Sequence, residues 1–194
     1  MIKADLVAFE ERIAAEFNAS KIRHPVHFEN GNEDALIAIF KHVRPEDYVF
    51  VSWRGHLKAL LKGVPPEDLA AAIRRGESMA LRFPEQRVYG SAIVGGTIPI
   101  ALGVAMAIKR AGGSEKVWCF LGDMTRYTGI FLESRNYAEA HELPVIFVVE
   151  NNGVSVCTPT ADVWPKSLPR CVNMVEYEYR SKWPHAGAGV RVQF

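Results

Sequence analysis

Two short stretches constrain the fold more than anything else in this chain: KVWCFLGD, residues 116–123, and LPVIFVVENN, residues 143–152. Both are apolar at nearly every position rather than at alternate ones, and a segment of helical character, 130–143, lies between them. A strand that is apolar on both sides must be covered on both faces. Strands that alternate with helices are joined by crossovers, which makes neighbours parallel. YVFVSW, residues 48–53, is a third β-branched and aromatic run of this kind. The expected fold class is therefore α/β, a parallel sheet with helices on both faces. At 194 residues and 48% hydrophobic content, residues 1–194 are expected to form a single domain with a substantial core.

The remaining elements follow from spacing and punctuation. Leu6, Phe9, Ile13 and Phe17 repeat at helical intervals, as does DALIAIFK near residue 33. Residues 56–75 read as helical, with prolines and acids opening VPPEDLAAAIRRG. Residues 82–96 read as loop, followed by a small-residue helix, PIALGVAMAIKRAGG, closed by a glycine pair. Beyond Asn152 the segment TPTADVWPKSLPRC reads as loop, VEYEYR as a possible strand, and VRVQF as another short alternating piece.

Composition excludes several classes. With 23 basic and 22 acidic residues the net charge is +1, which gives no footprint for nucleic acid. No apolar stretch reaches the length of a membrane span, and the amino end lacks the pattern of a signal peptide. Cys119, Cys157 and Cys171 are odd in number and lack CxxC spacing, so a reducing, cytoplasmic setting is expected.

In parallel α/β sheets, ligands bind beyond the carboxyl ends of the strands. Three strand ends here carry polar groups: Trp53-Arg54-Gly55-His56, Gly122-Asp123 and Asn151-Asn152. One carboxylate, neutral amides and a guanidinium, without a His/Cys cluster, suit Mg²⁺ or Ca²⁺ rather than zinc. Mg²⁺ usually keeps few protein oxygens and completes its octahedron with ligand phosphates and water, and an Arg offers those phosphates a fork of donors. The residues by themselves point to a magnesium–diphosphate site.

The run from Gly122 to Asn152 resembles the thiamine diphosphate motif, GDG followed about thirty residues later by NN. With HFENGNEDAL, SWRGH and YGSAIVGGTIPIALGVAMA in the same order, the stretch from Phe9 to Pro159 resembles the alpha subunit of 2-oxoacid dehydrogenase first components. That resemblance implies the thiamine diphosphate-binding fold, with thiamine diphosphate and Mg²⁺ as cofactors. It implies decarboxylation of a small-molecule 2-oxo acid and transfer of the acyl or aldehyde unit to an acceptor. The implied partner is a beta-like subunit with a pyrimidine-binding domain that supplies a catalytic Glu, in an alpha2beta2 heterotetramer.

Carried onto this chain, the resemblance makes Asp123, Asn152 and the carbonyl of Val154 the metal ligands. Trp53 and Arg54 match the diphosphate contacts, Ala92 and Val94 the aminopyrimidine contacts, and Gly122, Met124 and Thr125 the rest of the diphosphate turn. His27, His56 and His185 become catalytic candidates.

The chain departs from the pattern in places. Met124 stands where the family has the second Gly of GDG, Ala80 where a His is usual and Ala186 where a Ser is usual. A split transketolase-like half and a degenerate assembly subunit are the alternative readings. Read without the resemblance, Asp123 is a helix cap, the Asn151-Asn152-Gly153 run a turn, and each His a satisfied structural residue.

Overall fold

The computed structural model describes residues 1–166 and 172–189; Cys171 and the VRVQF end lie outside the described residues. The strands are β1 Tyr48–Val51, β2 Arg82–Phe83, β3 Val88–Gly90, β4 Val117–Gly122, β5 Val145–Asn151, β6 Val154–Ser155, β7 Thr158–Pro159 and β8 Met174–Glu178. The helices are α1 Lys3–Asn18, α2 Glu33–Phe40, α3 His56–Leu61, α4 Pro66–Arg74, α5 Thr97–Ala111, α6 Gly129–Ala140 and the single turn α7 Thr160–Val163.

Six strands form one sheet in the order β2-β3-β1-β4-β5-β8, and only the β2–β3 pair is antiparallel. The apolar runs do what their composition demands. Along β4, Trp118 and Phe120 face a core shared with α1, α2, α3 and α4, while Val117, Cys119 and Leu121 face a second core with α5 and α6. β1 divides the same way, Val49 and Val51 on one side and Phe50 on the other. Successive side chains point to opposite faces, so an all-apolar strand is the signature of a sheet buried twice.

Two expectations about elements need correction. Residues 56–75 are two helices, because the chain breaks at Gly63, which takes φ +97°, before Pro65 and Pro66 open α4. The stretch 82–96 is not all loop: β3 lies inside the sheet, its Val88 opposite Val49 and its Gly90 opposite Val51. Three residues are too few to show a period, and the strand owes its place to pairing with β1.

β1 leads by α3 and α4 to β3 on one side, whereas β4 leads by α6 to β5 on the other. The connections diverge between β1 and β4. At such a reversal the carboxyl ends splay apart and leave a crevice.

Candidate active site

The crevice is occupied by a cleft of about 90 Å³. Ser52, Trp53 and Arg54 line it from the end of β1, and Gly122, Asp123, Met124 and Thr125 from the end of β4. Glu150 and Asn152 come from the end of β5, Val154 follows in β6, and Tyr179 stands just past β8. Val94 closes the rim.

Asp123 does not cap α6; Thr128 does, its hydroxyl oxygen accepting the Phe131 N–H at 3.4 Å. Asp123 instead opens a 3₁₀ turn, Asp123–Tyr127, and is almost wholly buried. Burial raises its pKa, against the stabilising hydrogen bonds from the Thr160 hydroxyl and from the amides of Asp123 and Met124. Met124 lies inside this turn and has no positive φ, so the backbone objection to replacing a glycine there does not arise. Asn151 takes the turn role, its side-chain oxygen accepting the Gly153 N–H at 3.0 Å, and Asn152 does the same for Val154 at 3.2 Å. The Thr160 amide donates to the Gly153 carbonyl at 2.9 Å, which closes the base of the β6–β7 hairpin, and Val154, Ser155 and Val156 of that hairpin line the cleft. Behind the turn Tyr127 and Trp164 stack flat, with centroids 4.8 Å apart and planes 6° from parallel.

The histidines separate. His27 is buried, 4.8 Å from the His185 ring and 6.1 Å from that of Trp53. Burial, then the charge of Arg54, lowers its pKa to about 3, so at neutral pH it is an uncharged imidazole. An Arg54 terminal nitrogen donates to the His185 carbonyl at 3.1 Å and approaches its Nδ1 at 3.4 Å. The Arg54 Nε, Trp53 Nε1 and His27 Nδ1 are buried without a hydrogen-bond partner among the described residues.

His56 is a correction. It does not line the cleft; it is fully buried, with Nδ1 at 2.8 Å from Glu10 Oε1 and Nε2 at 2.8 Å from Ser78 Oγ. Both nitrogens are used inside the core, so it is withdrawn as a catalytic candidate. His56→Leu is expected to cost about 2–3 kcal/mol by stranding the buried Glu10 carboxylate. Chemical denaturation checks this. Ala92 is likewise exposed and absent from the cleft lining.

Several contributors were not anticipated. Thr160 reaches Asp123 from 37 residues away, and no spacing rule reports that contact. Beneath the cleft Lys58 is wholly buried between Glu29 and Glu150, at 2.8 and 2.7 Å. Glu29 is pushed up to about 7 from the ordinary 4.5, by burial first, against the pull of Lys58 and with repulsion from Glu150. The folded protein therefore holds this proton more tightly than the unfolded chain. Its contribution to stability is full below pH 4.5 and is lost as the pH rises through 7. Glu29→Gln is expected to reduce the fall in thermal midpoint between about pH 5 and pH 8, as calorimetric melts would show.

A family model for the dehydrogenase E1 component matches residues 3–164. The chain belongs to the dehydrogenase E1 component family. This E1-family chain is 35% identical over 160 residues to the alpha subunit of acetoin:2,6-dichlorophenolindophenol oxidoreductase of Cupriavidus necator, covering 77% of this chain and 48% of that one. It is 34% identical over 161 residues to the pyruvate dehydrogenase E1 component subunit alpha of Porphyra purpurea, covering 74% and 47%. It thus spans about half the length of the curated relatives it matches. A solved Mycobacterium smegmatis structure, described as that of a thiamin diphosphate-dependent enzyme, is similar over 66% of this chain and 22% of its own, at 19% identity and a TM-score of 0.45.

Proposed function

We propose that this chain is an alpha-type subunit that binds the diphosphate end of thiamine diphosphate through Mg²⁺, for decarboxylation of a 2-oxo acid. One observation carries the reading: in an E1-family chain, a single cleft at the sheet's reversal gathers Trp53, Arg54, Asp123, Thr125 and Asn152. The donor set fits the group. Among the described residues no three His, Cys, Asp or Glu side chains are placed to hold a metal. A metal here would be held by the Asp123 carboxylate and the Asn152 amide oxygen, with the Val154 carbonyl as third ligand, and would complete its shell from phosphate and water. Arg54 Nε and Trp53 Nε1, without a hydrogen-bond partner among the described residues, are donors suited to phosphate oxygens.

When bound, the cofactor supplies the electron sink for carbon–carbon bond cleavage; the chain supplies position and electrostatics. Asp123 offsets the metal's charge. Arg54, steered by the His185 carbonyl, would offer its guanidinium to the phosphates. His27, as a neutral imidazole next to Trp53 and His185, would offer a hydrogen bond without adding charge.

The cleft is smaller than the 300 Å³ or so of a typical ligand pocket, so it encloses only part of such a cofactor. Val94 at the cleft is 55% exposed and its chain neighbour Ile93 70%, an apolar rim of the kind a partner covers. A beta-like subunit, in an alpha2beta2 assembly, is the proposed occupant and the source of the catalytic Glu; the cytoplasm is the proposed compartment.

Calorimetric titration of thiamine diphosphate, with and without Mg²⁺, into the chain alone and into its mixture with a beta-like partner tests the reading. Mg²⁺-dependent binding in the mixture, with 2-oxo acid decarboxylation only there, is the expected result. Absence of binding in both would refute it.

A further inference from the structure

We propose that Lys58 is a positioning residue that sets the spacing of the two walls of the cleft, acting through Arg54 on one wall and Glu150 on the other. An ammonium group has three N–H bonds, and here each has one acceptor: Glu29 Oε2 at 2.8 Å, Glu150 Oε1 at 2.7 Å and the Arg54 carbonyl at 3.0 Å. The Lys58 side chain has no exposed surface, and its nitrogen lies 5.5 Å from the centre of the Phe120 ring.

The three acceptors belong to three separate parts of the fold. Arg54 lies two residues before the start of α3 and carries the guanidinium of one wall. Glu150 lies near the end of β5, two residues before Asn152 on the other. Glu29 belongs to the segment before α2 and braces the ammonium from behind. Tyr177 of β8 extends the tie, its hydroxyl donating to Glu150 Oε1 at 2.6 Å, and Asn32 donates to Tyr177 at 3.2 Å and to Glu29 at 3.4 Å. Arg54 is thereby gripped twice, at its carbonyl by Lys58 and at its tip by the His185 carbonyl.

Two carboxyl groups share one ammonium in a water-poor interior, an excess of acid that Glu29 relieves by holding its proton up to about pH 7. Without the cation, Glu29 and Glu150 face each other at like charge, and the walls move apart or take up protons. A buried ion pair that only filled the core would not need to bond the backbone next to one ligand-facing residue and the side chain next to another. The ligand-binding part of this inference rests on the diphosphate reading; the wall-spacing part does not.

Hydrogen exchange of the ligand-free chain and calorimetric binding of Mg²⁺ with thiamine diphosphate test it together. Lys58→Met is expected to speed exchange at least tenfold at residues 53–56 and at 150–153, to leave α1 and α5 protected as in the wild type, and to weaken binding at least tenfold. Wild-type exchange at both walls in a folded Lys58→Met protein overturns the inference. Should that variant fail to fold, Lys58→Met combined with Glu29→Leu removes the charges as a pair, and the same loosening at both walls is expected; tight walls there also overturn it. If the wild type itself binds no cofactor, the diphosphate reading fails, and the exchange measurements still decide the role of Lys58.

Discussion

Asp123→Asn is expected to abolish most Mg²⁺-dependent binding of thiamine diphosphate while leaving the fold standing. The replacement keeps the shape and one oxygen but removes the only carboxylate that the proposed metal would touch. Outer-shell partners alone are worth roughly 10–100-fold in metal affinity, so loss of a charged direct ligand should raise the Kd by at least about 100-fold. Stability should hold or rise slightly. The carboxylate is buried and its charge is disfavoured by that burial, and an Asn oxygen can still accept from Thr160. Calorimetry gives the affinity and a thermal melt the stability. An affinity within threefold of the wild type would remove Asp123 from the metal site.

Asp47→Ala is expected to have the largest effect on the fold itself. Asp47 is fully buried just before β1 and accepts from five donors: the Arg44 amide at 3.0 Å, its guanidinium at 3.3 and 3.0 Å, the Lys116 amide at 2.8 Å and Trp118 Nε1 at 3.1 Å. It fastens the starts of β1 and β4, the two strands whose far ends form the cleft. Truncation strands the buried Trp118 indole and two partly buried amides, at a cost of about 3–5 kcal/mol. For a chain of this size that is a fall of roughly 10 °C in Tm. Burial alone would raise the Asp47 pKa, but these hydrogen bonds overcome it and hold the carboxyl below its ordinary range. Its contribution is therefore present above the ordinary carboxylate pKa and is lost as the pH falls through the depressed one. The stability gap between wild type and Asp47→Ala should accordingly close in acid, which denaturant titrations at several pH values would measure.

How much of this was legible depended on how local each signal was. β4 and β5 announced themselves because every position is apolar, and the residues at their ends, Asp123 and Asn152, inherited a place beside each other from parallel pairing. Trp53 and Arg54 were legible for the same reason. His56 was not: it opens α3 just past the polar end of β1, where a ligand-facing residue belongs, yet its ring turns back into the core toward Glu10, 46 positions earlier. The same blindness hid Lys58, Glu29 and Thr160. Their partners lie in other elements, and no period in the chain links them. A charged residue inside a short helix reads as solvated until the packing shows that both of its neighbours are carboxylates.

The flat pairing of Tyr127 with Trp164 gives the molecule an optical probe of its own. The indole rests on a ring at the far end of the turn that Asp123 opens, and it follows directly on the segment that Thr160 anchors. Any event that lifts the Trp164 segment from the turn separates the two rings, so the part of the emission that a Trp164→Phe variant loses tracks that movement without a label.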